Sequence, residues 1–358
     1  MTSFTQTVRV VGAGLLGTSI GLALTKQGVD VAIASQSAKS VDLAVHNGAG
    51  RIAKESDSPD LIVVCVPPNL TAKIICQELE QFPDAIVTDV ASVKASVLNE
   101  LIALGAPIDR YVGSHPMAGR ERGGVIAGRA DLFVGRPWVI TSNEKSKPEG
   151  VVLIKQLATA LEASVIESTA VDHDRAVALV SHVPQLISSL LASRLVGANA
   201  SDVSLAGQGL RDTTRIAASD PALWMQILQA NSREVQAVLT SYQAELAGVV
   251  SALSNVADDA NYETIEAVLK AGNVGIEKIP GKHGTKHSTY AQVVVMIDDK
   301  PGELARLLTE VGDIGINLEE LKLEHSPSAQ IGLVELYVLP TAEQSLIADL
   351  QARGWRIA

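Results

Sequence analysis

The feature that most constrains the fold is a glycine-rich turn near the N-terminus. It follows the apolar run VRVV and reads Gly12-Ala13-Gly14-Leu15-Leu16-Gly17, and residues 18–27 continue with helical periodicity. A strand that enters a helix through such glycines lets its backbone approach a pyrophosphate, which then lies against the amides and the positive end of the helix. The turn therefore predicts a dinucleotide site; the alternative is a mere tight turn. The predicted cofactor-binding residues here are Gly12, Gly14, Leu15, Leu16 and Gly17.

The alternation of short β-rich runs with helical stretches continues to about Ser168. The runs are VRVVGAG, VDVAIAS, LIVVCVPP, AIVTDVAS, YVGSHP, PWVITS and SVIEST. Continuous Val and Ile runs suit strands that are buried on both faces, so this order predicts an α/β Rossmann-type domain with a parallel sheet over residues 1–170. Val66 and Pro67 close one of these strands at the edge where a dinucleotide would lie, and we include them in the predicted site.

The end of the second strand bears on which dinucleotide binds. A carboxylate there normally accepts hydrogen bonds from the ribose 2′-hydroxyl and repels a 2′-phosphate. This chain instead has Ser35, Ser37 and Lys39. The cofactor prediction is therefore NAD or NADP, with NADP tolerated and preferred; the alternative is that these are ordinary polar loop residues.

Two further regions follow the α/β domain. Residues 171–272 lack strand patterns, and apolar residues from Val235 to Leu253 repeat at steps of four and three, which predicts an all-α dimerisation domain whose seam faces another helix of this chain or of a second subunit. Residues 273–288 are rich in Gly, Lys and His and are predicted to be a linker. Residues 289–358 read as βαββαβ, a ferredoxin-like module.

Composition excludes several classes of partner. The chain has 29 basic and 40 acidic residues, a net charge of −11, and only 3% aromatic residues, so nucleic acid and anionic membranes are poor partners. A small anionic substrate would need a local arginine cluster. Two cysteines exclude a disulfide framework. A cytoplasmic protein is expected; the alternative for the N-terminus is that Val10–Leu24 forms the apolar core of a signal peptide.

The strongest chemical motif is GSHPMAGRERGG at residues 113–124, which places His115 just past a predicted strand end. Further motifs are DVASVK at 89–94, SHVP at 181–184 and GLRDTTRIAASDPALW at 209–224. With the glycine turn, this set resembles the prephenate and arogenate dehydrogenase family of tyrosine biosynthesis, and residues 290–358 resemble an ACT domain. The resemblance implies oxidative decarboxylation of prephenate or arogenate, with hydride transfer to NAD(P) and aromatisation of the ring.

The resemblance also implies roles for individual residues. His115 matches the family's catalytic histidine, whose neutral imidazole takes the proton of the ring hydroxyl. Ser92 matches a residue that hydrogen-bonds that hydroxyl, although it could simply cap the next helix. Arg215 matches the arginine that binds a substrate carboxylate. Arg211 either adds to this positive patch or is a solvated surface charge.

Glu121 and His182 match two further family positions. Glu121 resembles a gating or ion-pairing residue, the alternative being a weak loop salt bridge. His182 matches a position near the substrate side chain, the alternative being a structural histidine. Gln185 stands where many relatives have a second histidine, which leaves prephenate and arogenate undistinguished.

The resemblance to an ACT domain implies regulation. Turn residues of such domains hold an amino acid, often at a subunit interface, so Gly302, Gly315 and Asn317 are predicted to bind L-tyrosine; the alternative is a dimerisation module without ligand. No metal is expected, because His283 and His287 lie in the linker and the acids around His173 suit the start of a helix.

Two alternatives to this family are a β-hydroxyacid-type dehydrogenase and a non-catalytic sensor of nucleotide and amino acid. The first normally relies on a lysine in the helical region, to which no motif here points. The second gives no reason for His115 and Arg215 to coexist.

Overall fold

The computed structural model describes residues 4–119, 123–255, 258–280, 290–325 and 331–358. The chain divides into two compact units, residues 1–243 and 244–358. In the first unit the strands are β1 Val8–Val11, β2 Val31–Ala34, β3 Arg51–Ile52, β4 Leu61–Val64, β5 Ile86–Asp89, β6 Gly113–Pro116, β7 Pro137–Thr141 and β8 Ser164–Glu167. Its helices are α1 Leu15–Lys26, α2 Ala38–His46, α3 Pro68–Gln81, α4 Ala95–Ala103, α5 Pro148–Ala160, α6 Ala170–Val177, α7 Val183–Ser193, α8 Ala200–Val203, α9 Gln208–Thr214 and α10 Pro221–Ala230.

The main sheet has five parallel strands in the order β3-β2-β1-β4-β5. All four residues of β4 are buried, because helices cover both faces of the sheet, as its unbroken apolar sequence predicts. The order reverses direction at β1, and the glycine turn follows that strand. Ligands of open α/β sheets bind at such a point, so the predicted Rossmann-type domain is confirmed.

The last three predicted strands do not extend this parallel sheet. They form a second sheet in the order β6-β7-β8, and β6 runs antiparallel to β7. The expectation of a single parallel sheet is therefore wrong here. The described residues between β6 and β7 contain no crossover helix but only the short 3-10 helix Val125–Ala127, so the chain reverses; α5 crosses between β7 and β8, which are parallel.

The helical part of the first unit centres on one long helical run, Ala170–Gly197. It consists of α6, a π-helical turn at Ala178–His182, α7 and a 3-10 end. Pro184 has no N–H and its ring would meet a carbonyl of a regular helix, and a wide turn immediately before it accommodates this. By length and composition the run could cross a membrane, and 33% of its most apolar window is buried in the protein. The stretch Val10–Leu24 lies in β1 and α1 of the core.

The predicted apolar seam lies on α11, Ser232–Ala252. Val235 is buried against Ala178 and Val183, and Leu239 packs at the edge of the same cluster. Tyr242, Leu246 and Leu253 are exposed. The start of the seam is therefore paired within this chain, and its later residues present an exposed apolar stripe.

In the second unit, α11 ends and a helix–sheet module follows. Its elements are α12 Asp259–Ile276, β9 Ala291–Asp298, α13 Glu303–Ile314, β10 Glu320–His325, β11 Ile331–Val338, α14 Glu343–Ala352 and β12 Arg356–Ile357. The strands form an antiparallel sheet in the order β10-β11-β9-β12, which is the predicted ferredoxin-like βαββαβ arrangement. Alternate residues of β9 and β11 are buried, and these strands share a core with α13 and α14.

Candidate active site

The glycine turn has the geometry of a nucleotide cradle. Gly12 has φ +114°, and a Cβ there would lie 2.3 Å from the carbonyl oxygen of Cys65 and 3.3 Å from a methyl group of Val66. A Cβ at Gly17 would lie 2.0 Å from the carbonyl oxygen of Gly12. At Gly14, by contrast, a Cβ would meet no described atom within 4 Å, and no side chain of the described residues caps α1. These residues fit a pyrophosphate, because the uncapped first turn of a helix offers backbone N–H groups and partial positive charge.

The remaining predicted cofactor residues lie around the same strand ends. Val66 is beside Gly12, and Pro67 precedes the first residue of α3. Ser35 lines a cleft of about 380 Å³, together with Ile33 and Lys54. The Ser37 hydroxyl accepts a hydrogen bond from the backbone N–H of Ser40 and so caps α2. Ser37 thus has a structural role whether or not it also binds a nucleotide.

His115 lies on β6 and is half-buried. A buried ion pair supports its strand: the Lys94 Nζ bonds to Asp89 and donates to the Ser114 carbonyl oxygen at 2.7 Å. Asp89 also accepts from the Tyr111 hydroxyl at 2.8 Å. These contacts fix the backbone immediately before His115, and the fixed strand keeps the imidazole in one place.

Two side chains of α6, those of His173 and Asp174, form a chain of hydrogen bonds that ends at the His115 ring. The Nδ1 atom of His115 is 2.9 Å from Nε2 of His173, and Nδ1 of His173 is 2.8 Å from Oδ1 of Asp174. His173 and Asp174 are 2% and 3% exposed. Burial, and then the neighbouring His173, Lys94 and His182, hold the pKa of His115 well below its ordinary value. The His115 ring is therefore neutral at pH 7, as a general base must be.

Of the two acids around His173, Asp172 lies in the first turn of α6 as expected, whereas Asp174 bonds to the start of α4 and to His173, so the expectation is corrected for Asp174. Thr169 caps α6 and accepts from the backbone N–H of Asp172, whereas the buried ring of His173 bonds to His115 and Asp174. The apolar residues Val177 and Ala178 share the buried face of this helical run. Among the described residues no cluster of ligands suits a metal ion.

His182 belongs to the same polar region. It is 1% exposed, and its Nδ1 is 3.1 Å from Asn231 Nδ2, which also donates to the Asp174 carbonyl oxygen at 2.8 Å. Its ring meets the ring of Trp224 edge-on at 6.0 Å. Burial lowers the pKa of His182 to about 4, with Asp174 opposing and His173 adding to the shift. His182 is thus a neutral ring whose Nδ1 accepts and whose Nε2 carries the proton.

Ser92 does not cap the following helix, so that alternative is wrong. Helix α4 begins at Ala95, and the backbone N–H groups of Lys94 and Ala95 donate to Asp174 at 2.8 and 2.9 Å. Asp174 takes the capping role because its carboxylate reaches the helix end from α6. The half-buried Ser92 hydroxyl bonds to no other described residue.

The two predicted arginines lie on short, exposed elements. Arg211 is on α9, and Arg215 begins the 3-10 helix Arg215–Ala217. The amide of Gln185 on α7 donates to the Ser219 hydroxyl at 2.7 Å and so fastens the end of this segment to the long helix. Gln185 is 6% exposed. The residue that departs from the family pattern therefore holds the segment that carries Arg215.

Glu121, with Arg120 and Arg122, lies outside the described residues, as do His283 and His287. In the second unit, Gly302 and Gly315 flank α13 with φ of +93° and +80°, conformations that favour glycine. Asn317 is exposed, and its amide donates to Glu319. The structure thus explains both glycines by backbone conformation.

Comparison with known proteins decides the family. The family model for the nucleotide-binding domain of prephenate dehydrogenase matches residues 20–167, and the model for its dimerization domain matches residues 169–270. A probable prephenate dehydrogenase of Streptomyces niveus is 34% identical over 98% of this chain and 99% of its own. The chain belongs to the prephenate dehydrogenase family. The family inferred from the motifs is confirmed, and with it a nucleotide-binding domain.

Two solved structures and one further sequence relative are similar to about three quarters of this chain. The prephenate dehydrogenase of A. aeolicus, solved with hydroxyphenyl propionate and NAD+, is 27% identical with a TM-score of 0.67 over 76% of this chain and 98% of its own. The Synechocystis arogenate dehydrogenase is 26% identical with a TM-score of 0.63 over 75% of this chain and 99% of its own. The cyclohexadienyl dehydrogenase of Zymomonas mobilis is 28% identical over 74% of this chain and 94% of its own.

Sequence reasoning missed Asp174, Asn231 and the role of His173. The signal that could have found them is the stripe of buried positions along the long helix, which places His173 and Asp174 on the same face as Val177 and Ala178. A histidine and a carboxylate on an otherwise apolar face must have buried partners. The identity of those partners is a tertiary fact that the helical pattern alone does not contain.

Proposed function

We propose that this chain oxidatively decarboxylates prephenate or arogenate, with NAD or NADP as hydride acceptor, in tyrosine biosynthesis. The observation that carries the proposal is His115, a neutral imidazole fixed at a strand end of a nucleotide-binding domain. Family membership and relatives named as prephenate, arogenate and cyclohexadienyl dehydrogenases support it.

His115 acts as the proton acceptor in this reaction. The substrate is a cyclohexadienol with a ring carboxylate. A nicotinamide held at the glycine turn would supply the acceptor for the hydride that leaves the carbon bearing the hydroxyl. His115 receives the hydroxyl proton as the C–O bond becomes a carbonyl. Loss of CO2 then sends the electron pair of the broken C–C bond into the ring, and the resulting phenolate oxygen takes the proton back from His115. Ser92 donates to or accepts from the same oxygen and orients it.

The second role is charge recognition. Arg215 binds a substrate carboxylate through two parallel N–H···O bonds, which a planar guanidinium can form and an ammonium cannot. Its segment supplies a second cation, Arg211, in a chain of net charge −11. Glu121 and His182 are proposed to close over the substrate and to face its side chain.

The direct test is steady-state kinetics with prephenate and arogenate, each with NAD and NADP, in which reduced nicotinamide and CO2 are measured together. We expect the two products in a 1:1 ratio with at least one pair. Hydride transfer without CO2 would favour a β-hydroxyacid-type dehydrogenase, and cofactor binding without turnover would favour a sensor.

The cofactor preference follows from the end of β2. Ser35 lies at a cleft at the end of β2, where a carboxylate would repel a 2′-phosphate. Lys54 lines the same cleft, as do Asp42 and Glu55. We propose that NADP is accepted and preferred. A Ser35→Asp variant should lower kcat/KM for NADP while that for NAD holds or rises; a strong preference of the unaltered chain for NAD would refute the proposal.

We also propose a homodimer formed through the helical domain. The long helix leaves large apolar side chains exposed, among them Leu179, Val180, Leu190 and Leu191, and the matched family model is described as a dimerization domain. Burying these side chains would stabilise a dimer.

The proposed domain limits are residues 1–170 for the nucleotide-binding domain, 171–272 for the helical domain, 273–288 for the linker and 289–358 for the C-terminal module. The proposed location of the protein is the cytoplasm.

The C-terminal module is proposed to be an ACT domain that binds L-tyrosine near Gly302, Gly315 and Asn317. The ferredoxin-like strand order and the left-handed glycines at both ends of α13 support this. Titration of L-tyrosine against the activity of the full chain and of residues 1–288 tests it. Inhibition in the full chain alone is expected; equal insensitivity of both would remove the regulatory claim.

A further inference from the structure

Asp174 contacts two parts of the candidate site: the start of α4, which follows Ser92 in the chain, and His173, which bonds to His115. Its Oδ1 accepts from the backbone N–H of Lys94, and its Oδ2 accepts from that of Ala95. Both oxygens therefore act as acceptors for donors that cannot reverse, and the first turn of α4 favours the negative charge. Since Oδ1 is also 2.8 Å from Nδ1 of His173, that nitrogen must carry the proton and donate.

The direction of this first bond fixes the direction of the next. A neutral His173 that donates from Nδ1 has only a lone pair on Nε2, so it can only accept. His115 Nδ1, 2.9 Å away, must then be the protonated nitrogen. The remaining nitrogen of His115, Nε2, is left with its lone pair. In a histidine, the hydrogen bond made by one ring nitrogen decides which form the other takes.

We propose that Asp174, acting through His173, is a positioning residue that holds His115 as the Nδ1–H tautomer with Nε2 unprotonated, and that it simultaneously fixes the loop carrying Ser92. This rests on the proposed function, in which Nε2 of His115 accepts the hydroxyl proton. When His115 becomes an imidazolium, its Nδ1–H bond to His173 and the carboxylate beyond it stabilise the positive charge. The Asp174 carboxylate thus orients both His115, the base, and Ser92, whose hydroxyl contacts the same substrate oxygen.

The decisive variant is Asp174→Asn. In either orientation of the amide, its nitrogen faces a backbone N–H of α4 that the carboxylate accepted, and the negative charge that stabilises the His115 imidazolium is lost. With the nitrogen at the Oδ1 position it also faces His173 as a donor, and the chain of bonds reverses: Nδ1 of His173 accepts, its Nε2 donates to Nδ1 of His115, and Nε2 of His115 becomes protonated. We expect kcat to fall about 10²-fold or more while KM changes little, because general base catalysis is lost and carboxylate binding is not.

The matched control is Asp172→Asn, two positions before Asp174 in the same helix. Asp172 is exposed and bonds to Thr169 and Arg175 rather than to either histidine. It should leave kcat and KM unchanged. His173→Leu is the second variant, because it cuts the path to His115 and leaves Asp174 in place as the cap of α4; it should lower kcat and keep the fold if Asp174→Asn does not fold.

The readout that a merely structural role would not change is the 15N spectrum of the imidazoles in the ligand-free protein at pH 7.5. We expect Nε2 of His115 to give the shift of an unprotonated ring nitrogen in the unaltered chain and in Asp172→Asn. In Asp174→Asn and in His173→Leu we expect a shift towards that of a protonated nitrogen, because the Nδ1–H of His115 is no longer held by an accepting His173. A protonated Nε2 in the unaltered chain would overturn the inference. So would an unchanged tautomer and kcat in His173→Leu.

The two proposals fail in different ways. The tautomer is measured without substrate, so absence of turnover with prephenate and arogenate would refute the proposed function and leave the inference standing. Normal turnover with a protonated Nε2 would refute the inference alone.

Discussion

The two halves of the candidate site are built in opposite ways. His115 is half-buried and tied through His173 to Asp174, while Arg215 lies on an exposed 3-10 helix that Gln185 fastens at its end. The difference follows from their chemistry. An imidazole is useful as a base only in one tautomer and when neutral, so it needs buried partners, whereas a guanidinium is charged in any surroundings and needs only to be in reach.

Loss of His115 should have the largest effect. His115→Asn removes the proton acceptor, so kcat should fall about 10³-fold, within the range for general base catalysis, while KM stays within a few fold. Initial rates over a range of substrate concentrations measure both. A raised KM with unaltered kcat would place His115 in binding instead and would break the contrast between the halves.

Loss of Arg215 should act chiefly on KM. Arg215→Ala removes a charge-assisted pair of hydrogen bonds, so KM should rise about tenfold or more with a smaller change in kcat. Arg211→Ala, four residues earlier, is the matched control and should raise KM about threefold at most, as a more distant charge would. Equal effects of both variants would show a diffuse positive patch rather than a specific contact.

The buried half should be the acid-sensitive one. The pKa of His182 is near 4 in the folded chain against 6.5 ordinarily, so the unfolded state binds its proton first as pH falls. Folding stability should therefore drop as pH falls below about 6.5 and level off below about 4, by about 3 kcal/mol from this group.

Denaturant unfolding of the unaltered chain and of His182→Asn between pH 7 and 4 measures that loss. The variant should lose less stability on acidification. His46→Asn, an exposed histidine of α2, serves as control and should follow the unaltered chain. If His182→Asn also follows it, His182 is not the group responsible.

The smallest effect is expected from the hydrogen bond between Gln185 and Ser219, which attaches the segment that carries Arg215 to α7. Ser219→Ala removes the partner of the Gln185 amide and loosens the segment that carries Arg215, so KM should rise about two- to fivefold, as for one neutral hydrogen bond. Ser204→Ala, on an exposed turn, should leave KM unchanged. A change in kcat without one in KM would mean that this bond serves the imidazole half.

Much of this site could be predicted from sequence, and unevenly so. The glycine turn, the family and the candidate roles of His115 and Arg215 are inferred from short motifs, and each motif is a run of consecutive residues. The antiparallel course of β6 goes with the lack of a crossover helix in the described part of the chain between β6 and β7. The roles of His173, Asp174 and Asn231 depend on contacts between residues 49 to 80 positions apart in the chain. Such contacts set the protonation of the base, and no local pattern encodes them.

The central prediction is that His115 and Arg215 serve one bound substrate. It is tested by adding hydroxyphenyl propionate to the cofactor-loaded chain with isotope-labelled histidine and following the ring resonances of His115. We predict that the ligand shifts these resonances, and that Arg215→Ala needs about tenfold more ligand for the same shift, since the carboxylate contact is lost. The same titration curve in both proteins, or no shift at His115, would mean that the two residues do not serve one substrate.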